Sequence, residues 1–129
     1  MTDPPSDREY SRSHVWAMRE PGGDVRVGLT HVPGAILGDA VFVELPPRQT
    51  EVEAGEPIGL VESSFAVFEI VSPLAGTVVD VNPGVESVPR RVTEDPYGEG
   101  WLLRLRPSGA GEAVSLLAGE EYARIAGEG

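Results

Sequence analysis

A chain of 129 residues with 40% hydrophobic and 24% charged side chains has enough material for one core with a radius of gyration of roughly 14 Å, and little more. The net charge of −11 comes from 21 acidic against 10 basic residues, all ten of them arginine and scattered from Arg8 to Arg124, which argues against binding to a nucleic-acid backbone. There is no cysteine, so disulfides, thiolate nucleophiles and sulfur-ligated metals are excluded, and no apolar run approaches the roughly 18 residues of a membrane span. The polar opening segment lacks the apolar stretch of a signal peptide, and a cytoplasmic protein with no membrane contact is expected.

Residues 1–12, MTDPPSDREYSR, carry paired prolines and mixed charge with almost nothing to bury, and read as a disordered or weakly docked leader ahead of one domain over 13–129. From His14 the pattern turns to short extended runs rich in Val, Phe or Leu: His14 to Met18, Asp24 to Leu29, and Ala40 to Leu45. Between the last two lies THVPGAILGD, where Thr30 can cap a short helix, Pro33 fits its first turn and Gly38 can end it. Glu51 to Ala54, Pro57 to Glu62, Ala66 to Ser72 and Gly76 to Asn82 follow as strands separated by turn-forming AGEP, ESSF, SPLAG and NPG. Trp101 to Arg106 alternates apolar and basic positions, and Ala113 to Ala126 places Leu116, Leu117, Tyr122 and Ile125 at helical offsets. The fold is predicted to be mainly β, a small sandwich or flattened barrel with short flanking helices.

The order His14-x-Trp16, VGLTHVPGAILGDAVFVELP (27–46), GEPIGLVES (55–63), SPLAGTVVDVN (72–82) and EDPYGEGWLLRLRPS (94–108) resembles the H protein of the glycine cleavage system over residues 14–126. The resemblance implies a lipoyl-domain-like barrel-sandwich hybrid. It also implies a non-catalytic carrier, lipoylated and moving an aminomethyl group between a glycine decarboxylase, an aminomethyltransferase and a dihydrolipoyl dehydrogenase.

One departure cuts across that expectation. The family's lipoyl lysine stands on a hairpin with a pattern like E-S-V-K-A-A-S-D-L-Y-S-P, and ungapped alignment of Glu62-Ser63 and Ser72-Pro73 puts Phe65 in its place. Lipoylation and biotinylation both form an amide on a lysine ε-amine, and this chain has no lysine. Arginine cannot substitute, because its guanidinium stays protonated and is a poor nucleophile, and the terminal α-amine sits on the leader. No lipoate, and no other cofactor, is expected.

Other chemistry finds little support. Ser63 and Ser64 precede the tip, but serine-linked phosphopantetheine belongs to a helix start in a helical bundle. His14 and His31 read as surface or capped histidines, not metal ligands, and no nucleophile elbow, triad spacing or phosphate loop is present. An enzyme is not expected.

The hairpin itself is unusually apolar. Alternation sends Phe65, Val67 and Val71 to one face and Ala66, Phe68 and Ile70 to the other. An exposed phenylalanine at a hairpin tip invites a partner. Glu62, Ser63, Ser64, Phe65, Val67 and Glu69 are therefore the candidate partner-binding residues. Glu51, Glu53, Glu56, Glu62 and Glu69 are expected to crowd the region around the tip, an acidic run of the kind that is usually a solvated face and that, as the less favoured reading, steers the domain to a basic cleft. Trp16 and Trp101 read as core. The sequence thus predicts a non-lipoylated binding, scaffold or regulatory module whose protein partners are an aminomethyltransferase, a glycine decarboxylase or a lipoate-handling enzyme. The alternatives are a structural subunit that self-associates through the Phe65 hairpin, and the aminomethyl carrier that the resemblance alone implies.

Overall fold

The structure, a computed structural model, describes residues 3–108 and 113–128. Nine short strands form two antiparallel sheets: β1 (Glu9–Tyr10), β2 (Val15–Arg19), β3 (Val25–Leu29), β4 (Ala40–Glu44), β5 (Glu51–Val52), β6 (Pro57–Ser63), β7 (Val67–Val71), β8 (Gly76–Val81) and β9 (Leu103–Pro107). A six-stranded sheet runs β1-β2-β3-β9-β8-β5, and a three-stranded sheet runs β4-β6-β7. Four helices complete the described chain: α1 (His31–Leu37), α2 (Pro83–Ser87), α3 (Arg91–Glu94) and α4 (Gly119–Glu128).

The alternation read from the sequence builds the main core. Val25, Val27 and Leu29 of β3 and Leu103 and Leu105 of β9 point inward, where they meet Val61 of β6 and Ile70 of β7, while Arg26, Arg104 and Arg106 point outward. At β2 the alternation serves two cores. Val15 and Ala17 join the main one, and Trp16 faces a second cluster with Tyr10, Leu117 and Tyr122. The indole crosses its strand partner Gly28, where a Cβ would stand 2.5 Å from the ring, and Trp16 Nε1–H donates to the Pro96 carbonyl at 2.9 Å. Only glycine leaves room for that crossing.

That second cluster corrects the reading of residues 1–12 as a leader with almost nothing to bury. Tyr10 is fully buried, stacks on Tyr122 with ring centroids 4.9 Å apart, and exchanges backbone hydrogen bonds with Leu117. The Arg8 guanidinium lies 4.5 Å from the Trp16 ring centroid. The aromatic side chains of the second cluster supply an apolar surface that the polar composition of the segment did not advertise.

The helix over 30–38 forms as expected. Thr30 Oγ1 accepts from Val32 N–H, Pro33 lies in the first turn and Gly38 ends the helix at φ 71°. The C-terminal helix starts later than predicted, at Gly119. Residues 113–117 use their backbone to pair instead, Ala113 with Leu74 and Leu117 with Tyr10. Helices α2 and α3 occupy a stretch read as turn and loop. Asn82 caps α2 by accepting from Gly84 N–H at 2.9 Å, and its amide donates to the Glu99 and Trp101 carbonyls.

Candidate protein-docking site at the β6–β7 hairpin

Strands β6 and β7 pair in the register Leu60 with Glu69, Val61 with Phe68 and Glu62 with Val67, which leaves Ser64 and Phe65 as a two-residue loop closed by Ser63 N–H donating to the Ala66 carbonyl at 2.9 Å. Two-residue hairpin loops favour turns that need positive φ. Neither Ser64 nor Phe65 adopts it. The buried Ser63 hydroxyl compensates by accepting from Phe65 N–H at 3.1 Å and from Ala66 N–H at 3.2 Å. Ser63 is thus a turn-building residue, and the partner-facing role falls to its neighbours.

Phe65 is 85% exposed, the most exposed large apolar side chain among the described residues. Its ring edge lies over Gly38 at the end of α1, where a Cβ would stand 3.9 Å from Cε2. Ser64, Val67 and Glu69 are exposed and Glu62 is half-buried. On the opposite face Ile70 is fully buried and Phe68 packs against the core, as the alternation required.

Three further apolar side chains belong to this surface and were not singled out from the sequence: Ile36 of α1 and Val41 and Phe42 of β4 are all substantially exposed. Strand β4 pairs with β6, Ala40 with Ser63 and Phe42 with Glu62, with a register shift between Ala40 and Phe42. The shift turns both Val41 and Phe42 to solvent, which strict alternation forbids. The adjacent pair Val41-Phe42 inside a strand beginning after Gly-Asp was the only local signal.

The acidic residues expected around the tip divide between two places. Glu62 lies in the row Phe42–Glu62–Val67, and Glu44 and Glu69 flank Leu60 in the next row on the same outer face. Glu51, Glu53 and Glu56, expected around the tip, instead line a depression of about 620 Å³ with Ala75, Gly76, Thr77 and Ser108, at the base of the hairpin. Ser72 N–H donates to the Glu56 carbonyl, which fixes this turn to the far end of β7.

A polar network backs the hairpin from inside. His14, held at φ 66° just before β2, places Nδ1 at 2.7 Å from the Tyr122 hydroxyl, which lies 2.6 Å from Thr30 Oγ1. The His14 ring centroid is 6.4 Å from that of Phe68. His31 Nδ1 lies 2.7 Å from the Tyr97 hydroxyl. Burial holds both histidines below their ordinary value, the charge of His31 adding to the effect on His14, and burial pushes Tyr122 up to about 12. Both histidines are thus bonded to tyrosines, and no three His, Asp or Glu side chains among the described residues converge on a metal position. Likewise no helix among them is long and apolar enough to cross a membrane.

The hairpin offers no amine. Phe65 stands at the tip, and none of the residues around it carries a group that can form an amide with a carboxylic acid cofactor.

Comparison with known proteins agrees with the resemblance read from the sequence. A family profile described as Glycine cleavage H-protein matches residues 8–128. The glycine cleavage system H protein of Rubrobacter xylanophilus is 50% identical over 124 residues, covering 96% of this chain and 95% of the relative. That of a Thermus thermophilus strain is 44% identical over 123 residues, covering 95% of each. The crystal structure of a glycine cleavage system H protein from Mycobacterium marinum superposes with a TM-score of 0.89 at 40% identity, covering 96% of this chain and 99% of that one. The mainly β architecture with short flanking helices is therefore that of a solved H protein.

Proposed function

Because the chain belongs to the glycine cleavage H-protein family, whose members are carriers and not catalysts, we propose that it keeps the carrier's docking role without the cargo: a non-lipoylated module that binds enzymes of glycine cleavage or lipoate metabolism through its hairpin tip. The observation that carries this reading is Phe65, 85% exposed at the tip in a chain with no lysine. An attachment lysine needs a nucleophilic ε-amine. A phenyl ring cannot form the amide, and the ten arginines remain protonated at neutral pH. The family's lipoate does not fit these residues, so no step of a carrier cycle is assigned to the chain.

What the tip can do is bury apolar surface. Covering a phenylalanine is worth about 1.5–3 kcal/mol, and Phe65 sits on a turn already braced by the Ser63 hydroxyl, so little ordering cost attends its docking. The candidate partners are the decarboxylase and the aminomethyltransferase of glycine cleavage and lipoate-handling enzymes.

Two measurements test the reading together. The intact mass of the protein purified from its own host is expected to match the unmodified chain, and purified glycine decarboxylase or aminomethyltransferase from that host is expected to bind it but not Phe65→Ala. A lipoyl adduct on the natural chain would overturn the proposal. So would binding by neither of these enzymes nor by the host's lipoate–protein ligase, or binding unchanged in Phe65→Ala.

A further inference from the structure

We infer that the docking surface is not the tip alone but the outer face of the three-stranded sheet together with the end of α1, and that its occupant is a protein presenting an apolar groove rimmed by lysine or arginine. The inference deepens the docking role proposed above and rests on it.

Five large apolar side chains are exposed in the described structure, and the register brings them to one place. Ile36 and Gly38 end α1, and the Phe65 ring edge lies over Gly38. Ala40 pairs with Ser63 at the base of the loop, the adjacent register shift turns out Val41 and Phe42, and Phe42 shares its row with Glu62 and Val67. Ile36, Val41, Phe42, Phe65 and Val67 thus all belong to α1, the paired strands β4, β6 and β7 and their hairpin tip, with Phe42 and Val67 flanking Glu62 in one row and Phe65 beside Gly38, a grouping unlike the single scattered side chains of an incidental surface.

Its charge is one-sided. Asp39 follows Gly38, Glu62 lies inside the patch, and Glu44 and Glu69 flank its lower row. None of these carboxylates has an arginine within ion-pairing distance among the described residues, whereas Glu20, Asp24 and Asp80 elsewhere are paired with Arg26, Arg48, Arg104 and Arg106. Four of the ten arginines are thus engaged at or beside the six-stranded sheet, and Arg90 and Arg91 at α3 pair with Glu94 and Glu99, so the four carboxylates of this face keep their negative charge unpaired among the described residues.

That pattern selects among occupants. A second copy docking by a two-fold axis would set this acidic face against the same acidic face, between chains of net charge −11. An anionic lipid surface or a nucleic acid meets the same repulsion. A partner groove with apolar walls and a cationic rim satisfies both halves of the pattern: the apolar centre supplies affinity, and the rim supplies the association rate.

The test uses the full chain with purified host glycine decarboxylase and aminomethyltransferase, comparing Phe42→Ser, Val67→Ser, Ile36→Ser and the double variant Glu62→Gln/Glu69→Gln with Phe65→Ala. Phe42→Ser or Val67→Ser is expected to weaken binding about tenfold at an unchanged melting temperature. The double Gln variant is expected to slow association and flatten its dependence on salt. If Phe65→Ala abolishes binding while all the other variants bind as the natural chain does, the patch is overturned and the docking role of the tip stands. If the natural chain binds neither of these enzymes nor the host's lipoate–protein ligase, the docking role itself fails and takes the patch with it. A dimer in sedimentation at micromolar concentration, dissociated by Phe42→Ser, would make the occupant a second copy and overturn the inference.

Discussion

The hydroxyl of Tyr122 stands 2.7 Å from Nδ1 of His14, so a helix at the end of the described chain is bonded to the residue just before its second strand. The same oxygen lies 2.6 Å from Thr30 Oγ1, the cap of α1, and the Tyr122 ring stacks on Tyr10. Three segments far apart in sequence meet on one phenol. Tyr122→Phe keeps the stacking and removes the hydroxyl, leaving the buried Thr30 hydroxyl and the His14 nitrogen short of a partner. A loss of about 1–3 kcal/mol is expected in urea unfolding, read as a lower midpoint at unchanged slope. An unchanged midpoint would show that these bonds contribute nothing net.

The same network sets a pH dependence. His14 is held below its ordinary value by burial and by the charge of His31, and its ring is faced by Tyr122 and Phe68; His31 is held down by burial, opposed by Asp3, and faces Tyr97. The neutral forms are favoured in the fold, so the unfolded chain binds more protons just below the ordinary histidine value of about 6.5. Stability therefore rises with pH through that window and is lost as pH falls through it. A second loss follows at lower pH, where Glu20 and Asp80, held down by hydrogen bonds from Arg104 and Arg48, become protonated. Unfolding free energies between pH 5 and 7 check the first step: His14→Gln is expected to flatten the slope there and leave the acid step in place.

The crossing of Trp16 over Gly28 makes a third prediction. A Cβ at position 28 would meet Cε2 and Cζ2 of a fully buried indole at 2.5 Å, and the ring is pinned on its other side by the bond from Nε1 to the Pro96 carbonyl. Gly28→Ala is expected to cost about 1–3 kcal/mol, the penalty of overpacking a filled core, and to shift the Trp16 fluorescence as the indole is displaced. Natural stability and an unchanged spectrum would mean that the strand yields freely.

The inward faces of β3, β7 and β9 were legible because these strands follow a period of two that a single buried face enforces, as Val25, Val27 and Leu29 show. Tyr10 was not legible. Its burial depends on Leu117 and Tyr122, more than a hundred residues on, and a lone tyrosine among charges carries no period. Helix α2 had a signal, Asn82 as cap and Pro83 at the first position, but five residues are too few to show a helical period against the turn that NPG suggests. At the candidate site, Phe65 and Val67 were readable from the hairpin. Val41 and Phe42 were not, because the register shift that exposes both is a property of the pairing with β6 and not of the β4 sequence. Glu51, Glu53 and Glu56 were near the tip only in sequence; the strand β6 between them and Ser63 carries the tip away from them.

Restoring the amine tests the absence of cargo most directly. The hairpin is closed by Ser63 and Ala66 and not by the Phe65 side chain, which is 85% exposed, so Phe65→Lys is expected to leave the melting temperature unchanged. It places an ε-amine at the end of a turn flanked by Glu62 and Ser63, as the family pattern has it. Incubated with a lipoate–protein ligase, ATP and lipoate, Phe65→Lys is expected to gain the mass of one lipoyl group, while the natural chain and Phe65→Arg gain none. Modification of the natural chain would locate a nucleophile that the sequence does not supply. An unmodified Phe65→Lys would show that the hairpin has lost ligase recognition along with the lysine, and that the surface around Phe65 has diverged beyond its attachment residue.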